Sequence, residues 1–151
     1  MELNSIEDTK NFSKRISRII KKGDTIFLFG EIGVGKTTFV RFFINHLEVE
    51  NGIKKSDILS PTFNIVYEYE IKKIKILHYD LYRLKNYNEI LELGMLETPE
   101  DNITIIEWPE LIKLKPKNRV EILFKYLKKT DSREVKILGL GKCKNYQFNE
   151  I

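Results

Sequence analysis

With 151 residues, 42% of them apolar, the chain has the size and composition of one soluble domain, able to bury about 70% of its unfolded surface. No apolar run approaches the ~20 residues that span a bilayer. The first residues lack a cationic-then-apolar export pattern, and the single cysteine, Cys143, excludes an internal disulfide or a multi-cysteine metal site, so the cytoplasm is the expected compartment and no membrane partner is expected.

Ser5-Ile6-Glu7-Asp8 reads as a helix start. Phe12, Ile16, Ile19 and Ile20 follow at the spacing of one apolar helix face, and Gly23 is placed to end it. Thr25 to Phe29 reads as a buried strand, and Thr38 to Ile44 as a helix continuing to about Leu47. Residues 48–57 are polar and include the turn signal Asn51-Gly52. Alternation predicts a half-buried strand over Phe63 to Ile71. After Lys72-Lys73, Ile74 to Tyr79 reads as its hairpin partner. Asn88 to Leu96 suits a short helix with Ile90, Leu91, Leu93 and Met95 in apolar contact. Ile103 to Ile106 reads as a buried strand. Val120, Ile122, Phe124 and Tyr126 alternate, Asp131-Ser132 turns the chain, and Glu134 to Leu140 returns. The expectation is a single α/β domain over residues 1–151: a P-loop NTPase-like three-layer fold whose central sheet mixes parallel and antiparallel pairs. Cys143 lies in a polar stretch and reads as incidental; the net charge of +4 is scattered over lysine pairs such as Lys21-Lys22, Lys54-Lys55 and Lys128-Lys129, the pattern of a solvated surface.

The segment between the first strand and the second helix carries the chemistry. Gly30-Glu31-Ile32-Gly33-Val34-Gly35-Lys36-Thr37 fits G-x-x-x-x-G-K-[ST] in its required strand–loop–helix context. Glycines let the backbone approach a phosphate, successive N–H groups form an anion nest, and the helix directs its positive end there. Lys36 supplies a point charge for the β- and γ-phosphates, and the Thr37 hydroxyl suits Mg²⁺, which binds through few protein oxygens.

Nucleotide hydrolysis also needs a carboxylate for the metal and a group that orients water. Asp80 and Glu107 each follow a strand at the end where the P-loop opens. The strand before Glu107 is the more apolar and so the more central, which favours Glu107 for the closer metal role. Ser60-Pro61-Thr62 reads as a switch segment sensing the γ-phosphate or as an ordinary junction. His78 shares a strand face with Asp80, and reads as a packed polar residue or as one aimed at the site. Arg83 could meet phosphate or pair with an acid, and Trp108 could stack on a partner or pack in the core.

Together these motifs resemble the bacterial TsaE (YjeE) family, P-loop ATPases of tRNA threonylcarbamoyladenosine synthesis. The resemblance rests on Gly30 to Thr38, Ser60-Pro61-Thr62-Phe63, His78-Tyr79-Asp80-Leu81-Tyr82-Arg83, Glu92-Leu93-Gly94 and Ile106-Glu107-Trp108-Pro109-Glu110, in the right order across residues 5–110. It implies a Mg²⁺-dependent ATPase, slow alone, acting with TsaD- and TsaB-like partners of sugar-kinase-like fold. The complex transfers threonylcarbamoyl to an adenosine N6 in tRNA, with ATP hydrolysis resetting it between turnovers and tRNA as an indirect partner through the complex. Nucleotide as ATP or ADP would be held by Glu31, Ile32, Gly33, Val34, Gly35, Lys36, Thr37 and Thr38, with Thr9 and Arg133 near the base. The resemblance implies Thr37 and Glu107 as metal ligands and Lys36, Asp80 and Glu107 as the catalytic set. Ser60, Thr62, His78, Tyr82, Arg83 and Trp108 match switch-like or partner-facing positions.

Two rival functions are weaker on residues alone. A small P-loop metabolite kinase would need an arginine-bearing lid, and the six arginines form no such segment. A GTP-dependent switch would carry an N-K-x-D segment, which the sequence lacks.

Overall fold

A computed structural model describes residues 1–95, 99–127 and 132–148. Its core is one seven-stranded sheet in the order β1-β7-β6-β2-β5-β4-β3. The strands are β1 (Glu2–Leu3), β2 (Thr25–Phe29), β3 (Val66–Ile71), β4 (Ile74–Asp80), β5 (Asn102–Glu107), β6 (Arg119–Tyr126) and β7 (Arg133–Leu140). The four inner strands β6, β2, β5 and β4 run parallel, whereas β3, β7 and β1 pair antiparallel. The expected mixed α/β sheet is therefore present.

The parallel strands carry near-continuous apolar runs because both of their faces are covered. Every residue of β5 is buried, and so are the first four of β2. On one face lie α1 (Ile6–Ile19) and α2 (Lys36–Glu50). Ser5 caps α1 by accepting the Asp8 N–H, and Glu7 and Asp8 place negative charge at its positive end. Thr9, Phe12, Ser13, Ile16 and Ser17 form its buried stripe. Phe39 of α2 is the hub of an aromatic cluster, with ring centroids 5.4 Å from Phe12, 6.0 Å from Phe43 and 5.9 Å from Phe124. Each such buried ring stabilises the fold by roughly 1.5–3 kcal/mol. The other face is covered by α3 (Tyr87–Glu92) and irregular segments, with Leu81, Ile90, Met95 and Ile112 packed against Phe27, Tyr79 and Ile106. Among the described residues no helix is long and apolar enough to cross a membrane.

Several expectations need correction. The strand predicted from Phe63 begins at Val66, because Ile65 takes a left-handed φ of 68° and residues 61–64 form a turn. Phe63 is consequently 83% exposed. Helix α3 is shorter than expected, and Leu91 faces solvent. Tyr126 leaves the buried row of Val120, Ile122 and Phe124 for the surface. The turn residue Asp131, with Leu96, Lys128 and Lys129, lies outside the described residues. The two-residue strand β1 carries no sequence signal of its own and is held by pairing with β7.

Cys143 is the largest departure. It is fully buried, in a 3₁₀ turn over Gly141–Asn145 that follows β7. The fastening group is the fully buried Asp24 at the foot of β2. Its carboxylate accepts the Lys21 N–H at 2.8 Å and the Tyr146 hydroxyl at 2.7 Å, with the Lys142 ammonium at 3.1 Å and the Cys143 Sγ at 3.6 Å. Burial, with the Asp24 charge beside it, pushes the Cys143 thiol up to about 11. A thiol with so little thiolate at neutral pH is a poor nucleophile. Alkylation by iodoacetamide at pH 8 is expected to be at least about tenfold slower in the folded protein than in concentrated urea. Equal rates would mean that the C-terminal turn is not seated on Asp24.

Candidate functional site

The site forms where β2 ends. Parallel pairing places Leu28 of β2 opposite Glu107 of β5, and Glu107 opposite Asp80 of β4. Both acids therefore stand beside the loop that leaves β2. The chain leaving β2 returns over the α1/α2 face, while that leaving β5 packs Trp108 and Ile112 against the opposite face. Divergence of the two connections opens a crevice at the carboxyl ends of the strands, the usual ligand position in such sheets.

The glycine loop is shaped as the motif requires. Gly30 has φ 134°, and a Cβ there would lie 2.4 Å from the Phe124 carbonyl oxygen, so backbone closes off any side chain. Gly35 caps α2 with φ 116° and offers no side-chain cap. The first N–H groups of a helix have no intrahelical acceptor, so an uncapped start is available to an anion. Lys36 and Thr37, expected to precede the helix, are its first residues.

Lys36 is buried against the loop. Its Nζ donates to the carbonyls of Gly30 at 2.7 Å and Glu31 at 2.9 Å, and sits 3.9 Å from the centre of the Trp108 ring. Burial lowers the Lys36 pKa from its ordinary value, while the charges of Glu107, Asp80 and Glu110 raise it in opposition. Trp108, itself in a left-handed conformation with φ 59°, also meets Tyr82 with ring centroids 4.9 Å apart.

Glu107 is the polar centre. Its carboxylate accepts the Thr37 hydroxyl at 2.9 and 3.0 Å from its two oxygens, and His78 Nε2 lies 2.9 Å from Oε1. Asp80, also buried, accepts the Tyr82 N–H on Oδ1 at 3.0 Å and the Thr62 hydroxyl on Oδ2. Ser60 Oγ lies 2.7 Å from Thr62 Oγ1. The Ser60–Thr62 loop is thus attached to an acid of the cleft.

Gly35, Lys36, Thr37, Thr38, Ser60, Thr62, Asp80, Tyr82, Glu107 and Trp108 share, with Ile32 and Gly33, a cleft of about 220 Å³. A second cavity adjoins it across Gly33, Gly35 and Thr38, and is lined by Thr9, Val34 and Arg133 together with Asn4, Ser5 and Ile6. Arg133 Nε donates to the Val34 carbonyl at 3.3 Å, and its guanidinium lies 5.2 Å from the Tyr126 ring centre. Thr9 and Arg133, 124 positions apart in sequence, therefore flank one hollow beside the glycine loop. The Glu31 side chain points to solvent, so its contribution to the loop is its backbone. Arg83 falls outside the lining of both cavities; it is exposed and lies over the Phe63 ring at 5.1 Å. The sequence reading missed Tyr126, whose hydroxyl donates to the Ile32 carbonyl at 3.1 Å and braces the loop from outside. Its only signal was membership of an alternating strand.

A sequence profile described as "Threonylcarbamoyl adenosine biosynthesis protein TsaE" matches residues 3–135. This chain belongs to the TsaE family. A Rickettsia bellii relative named tRNA threonylcarbamoyladenosine biosynthesis protein TsaE is 44% identical over 126 residues, covering 83% of this chain and 85% of the relative. A Bacillus subtilis protein of the same name is 32% identical over 137 residues, covering 89% and 82%. The crystal structure of Bacillus subtilis YdiB superposes with a TM-score of 0.72 at 28% identity, covering 94% of this chain and 85% of that one. The TsaE-family match spans the glycine loop, both acids, the Ser60–Thr62 loop and Arg133.

Gly30→Ala forces a Cβ against the Phe124 carbonyl in a backbone region that favours glycine. It is expected to cost about 1–3 kcal/mol or more and to weaken ADP binding. Thermal denaturation and calorimetric titration check both, and an unchanged variant would show that the Gly30 approach is not tight.

Proposed function

We propose that this TsaE-family chain is the ATP-hydrolysing component of tRNA N6-threonylcarbamoyladenosine synthesis. A single P-loop domain in the cytoplasm would bind ATP and Mg²⁺, turn over slowly alone, and reset a complex with TsaD- and TsaB-like proteins between rounds of transfer. Contact with tRNA would run through that complex. The observation that carries this reading is the meeting of Lys36, Thr37, Asp80 and Glu107 in one cleft at the ends of β2, β5 and β4.

The donor chemistry fits Mg²⁺. Thr37 Oγ1 and the Glu107 carboxylate are hard oxygens already in contact, next to an uncapped helix start suited to phosphate. No group of three or more His, Cys, Asp or Glu side chains able to hold a metal occurs among the described residues. That suits an ion which keeps several waters and shares its coordination with phosphates. When bound, Mg²⁺ neutralises charge on the β- and γ-phosphates.

The chain's own residues do the rest. Lys36 exchanges its two carbonyl acceptors for phosphate oxygens and remains under the Trp108 ring, which shields it from water. The loop amides hold the phosphates in line. Asp80, fixed by Thr62 and the Tyr82 N–H, accepts a hydrogen bond from the attacking water and orients it toward the γ-phosphorus. A γ-phosphate that draws the Ser60–Thr62 loop toward it would act on Asp80 directly. Thr9 and Arg133 flank the hollow for the base and ribose. Among the described residues lining the main cleft, Lys36 is the only cation. The charge that develops in phosphoryl transfer is therefore met incompletely by this chain alone, which supports dependence on partners.

Lys36→Ala and Glu107→Ala are each expected to lower the ATPase kcat by about 10²-fold or more. Phosphate release would be measured with no phosphorylated metabolite formed, which separates an ATPase from a kinase. Near-normal turnover by both variants would remove the catalytic assignment. Mixing the chain with purified TsaD- and TsaB-like proteins and ATP is expected to give a co-eluting complex with raised ATPase. Failure to associate under any nucleotide condition would remove the pathway assignment.

A further inference from the structure

His78 is one of two histidines in the chain and is fully buried inside the sheet. Two residues before Asp80 on β4, it projects to the same face and lies diagonal to Glu107 across the parallel pair, opposite Ile105 in register. Its Nε2 is 2.9 Å from Glu107 Oε1, while its buried Nδ1 has no hydrogen-bond partner. A side chain present only to fill the core would be less costly if apolar, because an orphaned buried nitrogen loses its water without replacement. The ring is retained with one nitrogen satisfied, and that nitrogen meets the acid read above as a metal ligand.

We infer that His78 is a positioning residue for Glu107, acting through its Nε2–H to set which carboxylate oxygen faces the cleft. A carboxylate accepts only, so the proton between the two groups sits on Nε2. With Oε1 held by His78, the carboxylate is fixed about its terminal torsion, a soft rotation that packing alone defines poorly. Thr37 also donates to this group, within reach of both of its oxygens, but its hydroxyl is itself a candidate metal ligand. A Thr37 hydroxyl that held Mg²⁺ would divide its contacts between ion and carboxylate, whereas the one hydrogen bond of the His78 ring goes to Glu107. Donors behind a metal ligand typically change metal affinity by 10–100-fold when removed.

The inference rests on the reading of Thr37 and Glu107 as Mg²⁺ ligands, and the test separates the two. ADP binding is titrated calorimetrically in EDTA and over a Mg²⁺ series for the wild type, His78→Leu and His78→Gln. Leucine removes the donor, whereas the glutamine amide can present an N–H near the Nε2 position. His78→Leu is expected to raise the Mg²⁺ concentration needed for half-maximal enhancement by about tenfold. ADP affinity in EDTA should stay within about twofold of wild type, and His78→Gln should recover most of the Mg²⁺ response. Equal Mg²⁺ response in wild type and His78→Leu, or equal damage in both variants, would overturn the positioning role while leaving the metal site intact. A wild type whose ADP binding ignores Mg²⁺ would overturn the metal reading itself. Should His78→Leu not fold, ¹⁵N imidazole spectra of the otherwise unaltered chain decide the matter, with His46→Gln assigning the signals. A ring that carries a proton on Nε2 with and without Mg²⁺ and ADP supports the role, and a ring protonated on Nδ1 alone overturns it.

Discussion

Parallel backbone pairing of β2 with β5 and of β5 with β4 is the constraint from which the site follows. Hydrogen-bond register across those strands brings Glu107 level with the exit of the glycine loop and Asp80 level with Glu107. A slip of one residue would turn both acids to the opposite faces of their strands. Register is in turn secured by burial, since the apolar side chains of β2 and β5 fill the core on both faces. The chemistry of the cleft is thus positioned by the most deeply buried part of the molecule.

Two neighbouring buried carboxylates are costly, because like charges opposed across strands repel and both lose water. The fold offsets this with donors. Glu107 receives Thr37 and His78, and Asp80 receives Thr62 and the Tyr82 N–H. The Lys36 ammonium supplies a nearby countercharge, drawn toward both acids. Those donors come from a helix start, a strand interior and two loops. The electrostatic balance of the cleft therefore couples the start of α2 and two loops to the paired strands β4 and β5, and a ligand that displaces one donor changes the balance for the rest. The left-handed Ile65 and Trp108 sit on the two segments that frame this cleft, where local strain is commonly held in place by surrounding contacts.

At the other end of the sheet a different polar group does the fastening. Asp24, at the start of β2, gathers donors from the end of the first helix and from the C-terminal turn. The central strand is consequently anchored at its foot by residues 21 and 142–146 and at its head by the contact of Gly30 with Phe124 of β6. Anchoring both ends of β2 holds the origin of the glycine loop in place.

Local pattern by itself determined the strand–loop–helix of the phosphate cradle, the amphipathic α1, the hairpin of β3 and β4, and the placement of Asp80 and Glu107 at strand ends. These depend on neighbours in sequence: glycine spacing, apolar period and turn residues. Tertiary structure alone decided which acids meet, that His78 reaches Glu107, that Thr62 holds Asp80 and that Arg83 stands outside the cleft. It also decided that Cys143 is core, that Tyr126 braces the loop and that Phe63 precedes its strand. Each of those facts is a contact between segments far apart in the chain or a single backbone angle, as at Ile65. Periodicity carries no trace of either, because side-chain pattern records which face is buried and not what lies across from it.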